Sequence, residues 1–165
     1  GRIGIVGLAE VGAAIDRSFI DCPPELLDGS LDVLDQIGEL GLEIALITNT
    51  GLTSGGAFRD WFADIGLLSR LKHTSYSNEM ALAKPDRQMW DAATRSLGVE
   101  SERVLHVGDN LHTDVAGAAA IGMSTVWASG AAITTSNKSV EPDYTVETIL
   151  ELLPSVDNWL ETLDS

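Results

Sequence analysis

Cysteine, positive charge and long apolar runs are all scarce in this chain, and each scarcity removes a class of function. The single cysteine, Cys22, allows no internal disulfide and no thiolate cluster for zinc, so a reducing, cytoplasmic setting is expected. Nothing around Cys22 marks it as a nucleophile, and it reads as a buried structural thiol. Ten Lys and Arg stand against 25 Asp and Glu, for a formal charge of −15. That balance gives no basic footprint for nucleic acid and no attraction to an anionic membrane surface. No apolar run approaches the length of a membrane span, and no signal peptide, repeat or low-complexity tract is expected from the residues given. What remains is a 165-residue chain, 44% hydrophobic, enough for one globular domain with a buried core. An anionic substrate would need a local cation to enter it, and only three of the basic residues are Lys.

What is present, from Gly29 onward, is an alternation of helical and strand patterns. Ser30 is placed to cap a helix over 31–40, with Leu31, Leu34, Ile37 and Leu40 on one face and Gly41 as its stop. Residues 43–47 read as a short buried strand, followed by the loop Thr48-Asn49-Thr50-Gly51. A helix over 57–65, a weaker strand over 71–76 and a helix over 85–97 follow. The last has Pro85 at its first position and Met89, Trp90, Ala93 and Leu97 as its apolar stripe. Strands over 104–107, 125–127 and 144–146, a small-residue helix from about Asp114 to Ile121 and a helix from about Thr148 complete the pattern. This predicts an α/β, Rossmann-like fold: a parallel sheet with helices on both faces. Ligands of such folds bind beyond the carboxyl ends of the strands. Residues 1–22 are read apart from a core over 23–165. Gly7-Leu8-Ala9-Glu10-Val11-Gly12 matches a dinucleotide-binding glycine turn poorly, because Ala9 stands where the middle glycine must let backbone approach a pyrophosphate. The other reading is a helix over about 9–19 leading into an extended Cys22-Pro23-Pro24 segment.

Three polar clusters fall at the ligand-binding edge: Thr48-Asn49, Lys84-Pro85 and Asp109 with Asp114. In VLHVGDNLHTD (104–114), an apolar run enters Gly108-Asp109 and a second Asp follows five positions on. Gly108 lets the backbone turn without a Cβ clash. Asp109 and Asp114 offer the hard oxygens that Mg²⁺ prefers, and the following helix begins at the same edge, where its N-terminus favours anions. Thr48 offers a hydroxyl and Asn49 an amide to a phosphoryl oxygen. Lys84 offers a positive charge on backbone that Pro85 keeps out of the helical region. Together these fit phosphoryl transfer, in which positioning and charge neutralisation supply most of the catalysis. Singly, each has an ordinary structural reading: loop polarity at Thr48-Asn49, a surface lysine, a turn former at Asp109, a helix start at Asp114. His106, Met89 and Trp90 read as core, and His112 as solvent-exposed.

The stretches LEIALITNTG (42–51), SNEMALAKPDRQMW (77–90) and RVLHVGDNLHTDVAGAAAIGM (103–123) resemble, in order and spacing, the second, third and fourth motifs of the haloacid dehalogenase-like (HAD) hydrolase superfamily. The tail stretches GMSTVWASG and EPDYTVETILELL resemble its last strands, so the resemblance runs from about 23 to 153. It implies a Mg²⁺-dependent phosphatase of small phosphorylated metabolites. Thr48 would bind the phosphoryl group, with Asn49 beside it. Lys84 would neutralise that group and the nucleophile, Asp109 would ligate Mg²⁺, and Asp114 would support the metal directly or through water. The family's nucleophile is the first Asp of an Asp-x-Asp-x-Thr/Val motif at the end of the central strand. It forms an aspartyl-phosphate that water hydrolyses, and the second Asp protonates the leaving oxygen.

No such motif occurs in these 165 residues. On one reading, the first motif and most of an inserted cap lie upstream. The sheet is then incomplete at its N-terminal side and 1–22 are the cap's last part, in agreement with a first residue that is Gly rather than Met. On the other, AAIDRSF (13–19) is a degenerate first motif, with Asp16 as nucleophile 32 residues before Thr48 and Ser18 in the acid/base position. Either way this chain alone is expected to be weak or inactive. The rival reading is a non-catalytic phosphate- or Mg²⁺-binding regulatory domain on the same fold. Open edges of an incomplete sheet would invite pairing, so a homodimer is expected on that ground.

Overall fold

The structure, a computed structural model, describes residues 8–132 and 140–163. Its first element is a helix, α1 (Leu8–Asp21), and Gly12 lies inside it. The glycine-turn reading needed a strand entering a turn there, so the helical alternative replaces it; Gly7 lies outside the described residues. The C-terminal half of α1 is tied to the body. The Phe19 ring lies 4.6 Å from Phe58 and 5.5 Å edge-on to Trp61, and Asp16 Oδ1 accepts the Ser54 amide at 2.8 Å. Cys22 is exposed, not buried as its composition class suggested. It sits where the helix gives way to an extended Pro23-Pro24 segment that is itself exposed.

The core alternates as expected: α2 (Ser30–Glu39), β1 (Ala45–Thr48), α3 (Gly55–Asp64), β2 (His73–Tyr76), the single turn α4 (Ser77–Met80), α5 (Gln88–Leu97), β3 (Leu105–Gly108), α6 (Ala116–Ala119), β4 (Ser124–Ala128), β5 (Tyr144–Val146) and α7 (Leu152–Leu163). Every strand pair is parallel. β1 pairs with β2 in one sheet, and β3, β4 and β5 form a second in that order. Helices pack on both. Val33 and Ile37 of α2 meet Val126, Val146, Leu152 and Val156. On the other side Met89 and Trp90 of α5 meet Ala118 and Met123. Gly117 makes that packing possible, since a Cβ there would strike the Trp90 ring. Fully burying a side chain such as Met89 or Val33 contributes roughly 1.5–3 kcal/mol, so these contacts hold the loops above them in place.

Several element ends differ from their sequence reading for local reasons. The helix over 30–39 is not capped by Ser30: Gly29 occupies the N-cap with φ 78°, and Ser30 Oγ donates back to the Leu27 carbonyl at 2.6 Å. Its buried residues are Val33 and Ile37, while Leu40 is 48% exposed. α2 lies between two core clusters, Leu31 and Leu34 facing the aromatic one around Trp61 and Tyr76, so its buried face is wider than one stripe. Pro85 is not the first residue of α5. The Asp86 carboxylate accepts the Gln88 amide at 2.9 Å, and the regular helix starts only after this local turn. α3 does have a side-chain cap, Ser54 Oγ accepting from Ala57 N at 3.1 Å.

Candidate active site

The two parallel sheets carry their carboxyl ends to one edge, and three segments meet there. β1 ends at Thr48, half-buried. The next residue, Asn49, uses both ends of its amide on one partner: its Oδ1 accepts the Lys84 amide at 2.9 Å and its Nδ2 donates to the Lys84 carbonyl at 3.2 Å. Thr50 is buried, and its amide donates to Ser77 Oγ at 3.0 Å. The loop after β1 is thereby fixed to the segments on either side of α4. Lys84 precedes Pro85 through a cis bond.

From this anchored backbone, Lys84 Nζ reaches Asp114 Oδ1 at 2.6 Å, with the two side chains 12% and 4% exposed. Asp114 comes from the turn after β3. Its Oδ2 accepts the Asn110 amide at 3.0 Å, and its Cβ and Cγ occupy the space that a Cβ on Gly108 would need. Glycine at 108 therefore serves a close approach by Asp114; its φ is not positive. Asp114 does not start the helix either. Asn110 does, its Oδ1 accepting the His112 and Thr113 amides at 2.9 and 3.0 Å. A wide first turn over Leu111–Val115 then runs into α6.

His106 lies behind this pair. Its Nδ1 accepts from Trp90 Nε1 at 3.3 Å, which places the ring proton of a neutral imidazole on Nε2. That nitrogen faces Asp114 Oδ1 at 3.7 Å, a close approach rather than a hydrogen bond. Burial works against the charged form of Asp114. The imidazole of His106 and the positive charge of Lys84, together with the Asn110 amide, outweigh it and hold the carboxyl down at about 2. Lys84, at 2.6 Å, is the group that makes a full contact with Oδ1. His112 is exposed, as its sequence position indicated, and Met89 and Trp90 are fully buried.

Asp109 differs from Asp114. Its side chain is half-buried and makes no hydrogen bond or ion pair among the described residues. Its backbone carbonyl accepts from Trp127 Nε1 at 3.0 Å, which fixes the turn across β4. Among the described residues no three His, Cys, Asp or Glu side chains gather as a metal-binding group. Asp109 thus fits a hard-cation ligand, whereas both oxygens of Asp114 are already engaged by Lys84 and Asn110. Asp16 sits on α1 with its Oδ1 on the Ser54 amide, beside the loop that follows β1. Asn110 and Trp127 were missed by sequence reasoning. Asn110 carried a legible signal, an Asx residue opening a helix; Trp127 carried none.

A family model described as HAD-hydrolase-like matches residues 81–152, which includes Lys84, Asp109 and Asp114. A glyceraldehyde 3-phosphate phosphatase of Pyrococcus abyssi is 29% identical over 101 residues, covering 60% of this chain and 40% of that protein. A phosphoserine phosphatase of Thermus thermophilus is 34% identical over 87 residues, covering 53% of this chain and 34% of its own. The chain thus spans well under half the length of these relatives. Among solved structures, a HAD phosphatase from Thermococcus onnurineus superposes with a TM-score of 0.73 at 21% identity, over 88% of this chain and 64% of that one.

Proposed function

We propose a phosphatase reading for this chain, which belongs to the haloacid dehalogenase-like (HAD) hydrolase superfamily: it is the core of a Mg²⁺-dependent hydrolase of small phosphorylated molecules. The observation that carries the reading is the buried Lys84–Asp114 pair, held by Asn49 at the edge where β1 and β3 end. Burying an ammonium costs several kcal/mol unless it is paired, so a lysine kept there has a task beyond solubility. Its remaining N–H donors are free to take phosphoryl oxygens, and the Thr48 hydroxyl offers a further donor at the end of β1.

Charge explains the need for a cation. Lys84 contributes +1, and Asp109 and Asp114 contribute −1 each, so the three side chains sum to −1. A phosphate dianion is repelled by that sum and by a chain carrying −15 overall. A divalent ion on Asp109 reverses the local sign and would neutralise charge on the transferring phosphoryl group. Asp114 then acts by holding Lys84 and the turn rather than by direct ligation.

Asp16 points into a backbone hydrogen bond at Ser54, so we assign the attacking carboxylate to a residue outside the described ones. That carboxylate would attack phosphorus, the leaving alcohol would take a proton, and water would hydrolyse the acyl phosphate. The test is hydrolysis of p-nitrophenyl phosphate with Mg²⁺, by this chain and by one extended with its flanking coding sequence. Turnover by the extended chain, lost in Asp109→Asn and lowered by orders of magnitude in Lys84→Ala, is the expected result. No turnover by the extended chain, or an intact rate in Asp109→Asn, overturns it. Phosphate-dependent melting without turnover would favour a non-catalytic binding domain.

A further inference from the structure

His106 brings a buried donor to the site that nothing accepts. Its side chain, on β3, is 11% exposed, and Nε2 makes no hydrogen bond among the described residues. The Trp90 indole meets the ring edge-on, with centroids 5.5 Å apart at 76°. An indole nitrogen can only donate, so Nδ1 accepts from it at 3.3 Å and the proton of the neutral ring stands on Nε2. Asp114 Oδ1 lies 3.7 Å from that nitrogen, about 0.9 Å beyond the usual length of a charge-assisted bond. Buried N–H groups are rarely left unmatched. Here the acceptor is within reach, but Lys84 Nζ already sits on it at 2.6 Å.

We propose that His106 is a positioning residue: it is the second partner of Asp114, and it releases Lys84 to a bound phosphoryl group. The identity of that anion rests on the phosphatase reading. Two groups compete for one ammonium. Asn49 fixes the backbone of Lys84 through both its amide and its carbonyl, so an arriving anion draws out the side chain alone. As Nζ moves toward phosphoryl oxygens, its contact with Oδ1 lengthens. A carboxylate only 4% exposed then loses its counter-charge, and a buried charge without a partner is costly. Asp114 by itself would therefore hold Lys84 back. Its Oδ2 stays on the Asn110 amide at 3.0 Å, and a small turn of the carboxylate about that bond brings Oδ1 onto the Nε2 proton of His106. One hydrogen bond forms as the other lengthens, and the ammonium is free to meet the anion. Trp90 is needed for this. Without its N–H on Nδ1, the imidazole could carry its proton there and turn a lone pair toward the carboxylate. A phenylalanine at 106 would fill the strand position equally well, so packing alone does not call for the donor.

The test has two arms. The first follows the Nε2 proton of His106 by NMR in this chain, in Lys84→Met, and in the chain extended with its flanking coding sequence. Removing the ammonium, or adding inorganic phosphate with Mg²⁺ to the extended chain, should move the resonance downfield and slow its exchange with water about tenfold. A resonance unmoved in Lys84→Met overturns the proposal. Where that variant does not fold, a resonance unmoved by phosphate overturns it. The second arm measures p-nitrophenyl phosphate turnover by the extended chain. His106→Phe should raise KM and the inhibition constant of inorganic phosphate together, by about tenfold, because Lys84 holds the anion before and during the reaction. His106→Gln, which places an amide N–H near the position of Nε2, should recover most of that loss. A lower kcat with KM and inhibition unchanged, or equal losses in both variants, overturns the proposal and leaves the phosphatase reading standing. A moved resonance in Lys84→Met with no turnover by the native extended chain does the reverse: the exchange of partners stands and the phosphatase reading falls.

Discussion

Asp114 and Lys84 are each other's condition for being buried. With Asp114 at 4% exposure, Lys84→Ala leaves a carboxylate out of water with its ion-pair partner gone, and breaking such a pair costs about 3–5 kcal/mol. The expected outcome is a large fall in the urea midpoint. A Lys84→Ala, Asp114→Ala double variant should lose less than the two single losses summed, because no uncompensated charge remains. The same pair sets a pH dependence. The carboxyl of Asp114 lies at about 2 against an ordinary value of 3.8, so folding favours its ionised form. Its contribution, about 2 kcal/mol, is fully present above about pH 4 and is lost as pH falls toward 2. Urea midpoints taken across that window should drop in the native chain and drop less in Asp114→Asn. Equal slopes would show that Asp114 is not held down. Gly108→Ala acts on the same atoms from the other side: the new Cβ meets Asp114, so the carboxylate must leave Lys84 or the turn must open.

At the scale of elements, the short loops depend on side chains that stand in for backbone partners. Asn110 satisfies two amides at the opening of its helical turn, and Asn110→Ala should cost about 1 kcal/mol through the lost cap. It should also loosen the turn that presents Asp109 and Asp114. Ser54→Ala provides the comparison, since it removes one cap bond on a helix that carries neither Asp109 nor Asp114. Thermal melts should show similar losses, but only Asn110→Ala should raise the Mg²⁺ requirement of an active extended chain. Equal Mg²⁺ dependence would separate the cap from the site.

The sequence made much of this legible, and its failures have physical causes. Most strands were legible because short apolar runs bounded by Gly and polar clusters have few other uses in a buried sheet; 71–76, with Lys72 and His73, was the weakest of them. Thr48 and Asp109 stood out because each follows such a run, Lys84 because it precedes a proline, and Asp114 because it follows Asp109 by five positions where a helical pattern begins. The partner of Asn49 was not legible. It lies 35 residues away, and an amide that reaches for substrate cannot be told from one that reaches for backbone. The start of α5 was misplaced because Pro at a first helical position and Asp86 as a side-chain acceptor give the same pattern three residues apart. Asp114 was read as a helix start because its backbone is helical; its fold back onto Asn110 N and Lys84 depends on Gly108, a long-range consequence of one missing Cβ.

At the scale of the whole molecule, the two-sheet arrangement and the charge of −15 act together. The cavity between β1 and β3 leaves apolar walls facing each other with no strand between them among the described residues, so these walls contribute less to the core than their composition allows. Against that core stands the self-repulsion of a strongly acidic surface. The exposed ion pairs offer little relief: Arg70–Asp35, Arg59–Glu79 and Lys72–Glu43 each keep at least one partner 42% or more exposed, and exposed pairs of this kind add little to stability. Salt screens both the repulsion and these pairs, but the repulsion is summed over many more charges. Raising ionic strength from 0.01 to 0.15 M shortens the screening length from about 30 to 8 Å, so the melting temperature should rise with NaCl. The Lys84–Asp114 pair, buried and at 2.6 Å, is too close to be screened and should be unaffected. The difference in midpoint between the native chain and Asp114→Asn should therefore stay constant across the salt series while both curves move upward. A melting temperature that falls with salt would mean that the surface pairs outweigh the net charge, and that the acidic surface is not what limits stability.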